Sequence, residues 1–148
     1  VPDGDHRVPI GQAVVRRPGK DVTLLAYSIM ALRGAEAAER LAAEGIDVEL
    51  IDLRTIVPVD FATIAASVRK THRVIVAHEA CKTGGLGAEI GCRIAEELFD
   101  ELDAPVARVA ARDMPIPFSP PLEQAVLPGP DDIVRAARAL LGRHTSPR

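Results

Sequence analysis

The chain has 148 residues, 47% hydrophobic and 26% charged, with a formal net charge of −3, which is enough apolar material for one compact domain and too little length for two. Its longest stretch free of Asp, Glu, Lys and Arg is 11 residues, Val22 to Leu32, against about 20 for a membrane-spanning helix. Charges of both signs are interspersed and the only aromatics are Tyr27, Phe61, Phe99 and Phe118, so neither a basic face for nucleic acid nor stacking platforms for single-stranded bases are expected.

Val1 to Gly11 carries Pro2, Gly4, Pro9 and Gly11 among charged residues, the chemistry of a linker. The first residue is Val1, and the chain reads as part of something longer: residues 1–12 as a linker from a missing domain, 13–142 as the folded domain and 143–148 as a tail. Ala13 to Val15 followed by Pro18-Gly19 predicts an edge strand and a hairpin into the next run. Val22 to Ala26 is a continuous buried strand, and Ala31, Gly34, Ala35, Ala38, Leu41 and Ala42 then take helical spacing up to Gly45.

Val48 to Leu53 gives another strand, after which Pro58 and Asp60 open a helix with Phe61, Ile64, Ala65 and Val68 on one face. Arg73 to Ala77 is a third apolar run, and Gly87 to Leu102 places Ile90, Gly91, Ile94, Ala95, Leu98 and Leu102 on one helix face. Pro105 to Ala110 supplies the last strand. Six prolines between Asp113 and Pro130 forbid a long helix and predict an extended crossing, before Asp131 and Asp132 start a closing helix that ends at Gly142. Apolar strands alternating with amphipathic helices define a three-layer α/β/α domain with a mainly parallel sheet of about five strands.

In such a sheet ligands gather beyond the carboxyl ends of the strands. The residues there are Tyr27-Ser28, Arg54-Thr55, His78-Glu79 and Arg112-Asp113. His78, Glu79 and Cys81 are the densest group, but a thiol–imidazole site needs an orienting third group, and His78 and Glu79, as neighbours on an extended chain, face opposite ways and are poorly placed to form a relay, so a polar strand end with a buried or half-buried Cys81 is expected. Thr83-Gly84-Gly85-Leu86-Gly87 matches neither a dinucleotide fingerprint nor a P-loop. Glycines permitting a tight turn and close helix packing are the expectation there, ahead of anion binding. His6, His72 and His144 have no second ligand at metal-like spacing and are expected in solvent, and two lone cysteines, Cys81 and Cys92, fit a reducing, cytoplasmic setting.

Four blocks in order carry a resemblance: VPIGQAVVRRPGKDVTLLAYS, EGIDVELIDLRTIVPVD, SVRKTHRVIVAHEACKTGGLGAEI and LDAPVARVAARDMPIPFSPPLEQAVLP. The chain resembles, over nearly its whole length, the C-terminal domain of the beta subunit of thiamine diphosphate-dependent 2-oxo acid dehydrogenases. The resemblance implies a transketolase C-terminal-like fold whose first strand runs antiparallel to the rest. It implies a parent α2β2 assembly that oxidatively decarboxylates a 2-oxo acid and acylates a lipoyl arm, with thiamine diphosphate and Mg²⁺ held outside this domain. The domain itself is then expected to hold no catalytic, cofactor or metal residues. Partners implied are a second beta subunit, the alpha subunit and the peripheral subunit-binding domain of the acyltransferase core. Interface roles are carried over only as segments, the turn and helix with Gly84, Gly85, Leu86, Gly87 and Ile90, and the crossing with Asp113, Pro115, Pro117 and Phe118. Arg112 stands where that family is expected to have Pro or a small residue. The blocks split between branched-chain 2-oxo acid, pyruvate and acetoin relatives, and a free-standing, non-catalytic interaction module is the alternative from another class.

Overall fold

The structure is a computed structural model that describes residues 3–5 and 7–142. Its five strands are β1 (Val14–Arg17), β2 (Val22–Ala26), β3 (Val48–Asp52), β4 (Val74–Cys81) and β5 (Ala107–Ala111), hydrogen-bonded in the order β1-β3-β2-β4-β5. All pairings are parallel except β1 with β3, where Val14 faces Asp52 and Val15 faces Ile51. The mainly parallel sheet with one antiparallel edge strand is therefore as expected. The hairpin is not: β3 sits between β1 and β2, so Pro18-Gly19 reverses the chain across the end of β3 and the two strands it joins do not pair. A Cβ on Gly19 would stand 2.2 Å from the Val48 carbonyl carbon, which is why this crossing takes glycine.

Both faces of the sheet are covered, as continuous burial along β2 and β3 requires. On one face Leu24, Leu50, Ile75 and Ala77 pack against α1 (Ile29–Ala43) and α5 (Pro130–Leu140), through Met30, Leu41, Ile133 and Ala137. On the other, Leu25, Ile51, Val74 and Val76 meet α2 (Phe61–Thr71) and α3 (Leu86–Glu97), through Ile64, Val68, Ile90 and Ile94.

Helix ends follow local chemistry. Beyond α1, Gly45 at φ 73 donates to Ala42 O and Ile46 donates to Leu41 O, closing the last turn while Ile46 drops into the core. Asp60 caps α2 by accepting from Thr63 N at 3.1 Å, and its other oxygen accepts from Ala13 N at 3.0 Å, tying the start of the chain to the helix. Burial alone would raise the Asp60 pKa, but these hydrogen bonds outweigh it and hold the carboxyl below its ordinary value. Glu49, only 4% exposed, is likewise held low against burial by Lys70, Ser67 and Gly19 N.

Two expectations change in the second half. The helix after the glycine turn does not reach Leu102; it ends at Glu97, because Leu98 (φ −132) turns into the core and a 3-10 turn over Phe99–Glu101 follows. The proline-rich crossing is not wholly extended, since a short helix α4 (Pro120–Val126) forms within it. Pro120 and Pro121 occupy its first turn, where a missing N–H costs nothing. His72, expected in solvent, is half-buried at the α2 C-terminus with Nδ1 2.8 Å from Glu101 O. His6 and the tail 143–148, His144 included, lie outside the described residues.

Candidate functional site

The sheet switches direction between β2 and β4, with α1 leaving β2 for one face and α3 leaving β4 for the other. Tyr27 and His78 occupy this point, their rings stacked with centroids 6.2 Å apart and planes 5° apart. His78 is fully buried and neither ring nitrogen has a hydrogen-bond partner. Burial outweighs the opposing pull of the nearby Ala80 backbone, which falls short of hydrogen-bond geometry, and with Arg108 acting in the same sense as burial the pKa is held below the ordinary 6.5. Burial, then the Glu79 charge, pushes the Tyr27 hydroxyl upward.

The glycine turn is shaped around this ring. A Cβ on Gly87 would lie 2.3 Å from both Cδ2 and Nε2 of His78, and one on Gly85 would lie 2.6 Å from its Cε1 and 2.3 Å from Cys81 O. Gly84 takes φ +71. Close packing on the imidazole is thus the role these glycines perform. Among the described residues there is no thiol–imidazole pair: Cys81 Sγ lies 3.8 Å from Met114 O, and Cys92 Sγ lies 3.6 Å from Glu96 on the exposed side of α3. Glu96 beside Cys92 pushes its thiol pKa up, away from a reactive thiolate.

The two segments carried over as interface candidates touch each other. Asp113 accepts from Thr83 N and Thr83 Oγ1, both at 2.7 Å, and these bonds hold its carboxyl below the ordinary value. Gly87 and Ile90 face inward, Gly85 and Leu86 are half-buried and Gly84 is exposed. In the crossing Pro115 is exposed and Pro117 half-buried, while Phe118 at 103% exposure, with Met114, Ile116 and Leu122, presents apolar side chains outward.

Sequence reasoning missed an apolar groove of about 660 Å³ between α3 and β5, lined by Ala88, Gly91, Cys92, Ala95, Phe99 and Val106 among others. Its signal was present: Ala88, Gly91, Cys92 and Ala95 repeat at i, i+3, i+4, i+7. Gly91 and Ala95 were placed on the inward stripe, but that stripe is Ile90, Ile94 and Leu98, leaving Ala95 exposed and Gly91 half-buried.

A three-layer α/β/α domain with a mainly parallel five-stranded sheet and one antiparallel edge strand is the class these elements define. The model of the family "Transketolase, C-terminal domain" matches residues 11–133, and the chain belongs to that family. It is 49% identical over 136 residues to the mitochondrial pyruvate dehydrogenase E1 component subunit beta-2 of Oryza sativa subsp. japonica, covering 92% of this chain and 36% of that protein. It is 43% identical to the pyruvate dehydrogenase E1 component subunit beta of Staphylococcus epidermidis, covering 95% of this chain and 43% of that protein. Among solved structures it matches a split gene transketolase, an inactive beta4 tetramer, with TM-score 0.80 and 32% identity over 95% of this chain and 45% of the other. The chain thus spans well under half the length of these relatives. Among the described residues no helix is long and apolar enough to cross a membrane.

Proposed function

We propose that this chain is the assembly domain of the beta subunit of a 2-oxo acid dehydrogenase decarboxylating component. The whole enzyme in this reading oxidatively decarboxylates pyruvate or a branched-chain 2-oxo acid and acylates the lipoyl group of an acyltransferase core, in a reducing compartment such as the cytoplasm. Among the described residues no group of three or more His, Cys, Asp or Glu side chains could hold a metal ion. In this reading thiamine diphosphate and Mg²⁺ are held by other parts of an α2β2 parent, and this domain supplies surfaces for the second beta subunit, the alpha subunit and the peripheral subunit-binding domain.

The observation that carries the reading is the small-residue groove on α3, floored by Gly91 and Ala95 and flanked by Phe99 at 73% exposure. Aliphatic grooves of this kind on an otherwise polar surface mark protein contacts. The crossing separately exposes Met114, Ile116, Phe118 and Leu122. Sedimentation velocity tests it. The chain should self-associate as concentration rises, and Ala95→Arg, which alters only an exposed position, should give a monomer with unchanged melting temperature. A wild-type chain that stays monomeric at high concentration would overturn the assembly role of this groove.

A further inference from the structure

A second concavity, of about 340 Å³, lies beside β5 between the end of α4 and α5, and it differs in kind from the α3 groove. Four cations line it, Lys82 just past β4, Arg108 on β5, which also borders the α3 groove, Arg112 beyond β5 and Arg135 from α5, with Asp132 as the one carboxylate among the lining residues. This concentration of positive charge occurs in a chain whose formal net charge is −3.

The cations are not equally free. Arg108 Nη1 donates to Lys82 O at 2.8 Å, which fixes the fork and leaves its remaining N–H groups to point elsewhere. Arg135 is paired with Asp132, and Asp113, the next acid along the chain, is already taken by Thr83. The Arg112 guanidinium has no side-chain partner among the described residues, although its backbone N–H is anchored to Val126 O at 3.3 Å. Leu127 and Ala136 supply an apolar wall. Planar forks that can each bond two oxygens suit phosphate, and the volume is at the small end of ligand pockets, about 300–1,000 Å³.

We infer that the concavity between β5, α4 and α5 is a binding site for a small phosphorylated ligand, read chiefly by Arg108 and Arg112. The inference does not depend on the assembly role proposed above. Isothermal titration of the full chain with inorganic pyrophosphate should show saturable binding below about 1 mM, weakened by ~0.5 M KCl. Arg112→Ala, at an exposed position where folding is not at stake, should lose about tenfold in affinity or more, whereas Arg69→Ala on α2 should bind as wild type. Arg108→Gln, which keeps part of the hydrogen bonding, should weaken binding as well. Absence of saturable binding, equal binding by Arg112→Ala, or equal affinity for citrate at matched ionic strength would each overturn the assignment.

Discussion

Replacing Gly87 by alanine sets two effects of known sign against each other. Near the start of α3 the change removes glycine's conformational freedom, which by itself stabilises a helix by up to about 1 kcal/mol. The new methyl, however, would be placed 2.3 Å from Cδ2 and Nε2 of His78, a ring with no exposed surface, and 3.3 Å from Val76 Cγ1. Contact distances for such atoms are about 3.5–4.0 Å, so ring or helix must shift by more than an ångström inside a packed layer. Overpacking of this kind costs about 1–3 kcal/mol. The steric cost wins, and Gly87→Ala should lower stability by about 1–2 kcal/mol, or roughly 2–8 °C in melting temperature for a chain of this size. Gly91, in the same helix, supplies the control: its Cβ would meet only Val106 Cγ1 at 3.6 Å, so Gly91→Ala should raise stability by about 0.5–1 kcal/mol. The decisive measurement is a double-mutant cycle by urea denaturation. In a His78→Ala background, Gly87→Ala should become neutral or stabilising. A destabilisation that persists unchanged without the imidazole would refute the claim that the ring dictates the glycine turn.

Other outcomes follow from the same coordinates. His78 is held neutral with its pKa lowered, so the unfolded chain binds the proton first and stability should begin to fall as pH drops below about 6.5; urea midpoints for wild type and His78→Leu should diverge in that range. Glu49 and Asp60 have depressed pKa values, so their contribution is complete above about pH 5 and is lost below it as each is protonated in the fold. Asp60→Ala, which removes both the α2 cap and the acceptor for Ala13 N, should cost about 1–2 kcal/mol and expose the N-terminal segment to hydrogen exchange. Glu96→Gln should quicken alkylation of Cys92 at neutral pH while leaving Cys81 unaffected, because Glu96 is the main cause of the raised thiol pKa. Phe118→Ser should leave melting unchanged, since that side chain is fully exposed, and a drop of more than a few degrees would mean that the ring packs within the domain.

The layers of the fold were legible because burial on both faces forces continuous apolar strands, and Val22–Ala26 and Val48–Asp52 show that pattern directly. Strand order was not. Pro18-Gly19 has the local chemistry of a turn whether β1 folds onto β2 or passes over β3, and only the backbone contact at Val48 separates the two. Helix α4 was hidden by composition, because adjacent prolines read as breakers unless they fall in a first turn. At the strand ends, a glycine turn was legible as a turn, but the reason for Gly85 and Gly87 is a ring seven to nine positions earlier in the chain. The basic concavity joins Lys82, Arg108, Arg112 and Arg135, residues separated by up to 53 positions, and no local pattern could bring them together.

The insertion of β3 between β1 and β2 also constrains the order in which the domain can be built. Residues 14–26 hold the domain's first two strands, which do not pair with each other: β1 is hydrogen-bonded to Val48–Asp52, and β2 lies between that strand and β4. Ordering of β1 therefore waits for a closure of some thirty residues, including the whole of α1, that brings β3 beside it. Until β3 is in place, the Val14-Val15 pair has no strand to cover it and stays open to pairing with other chains.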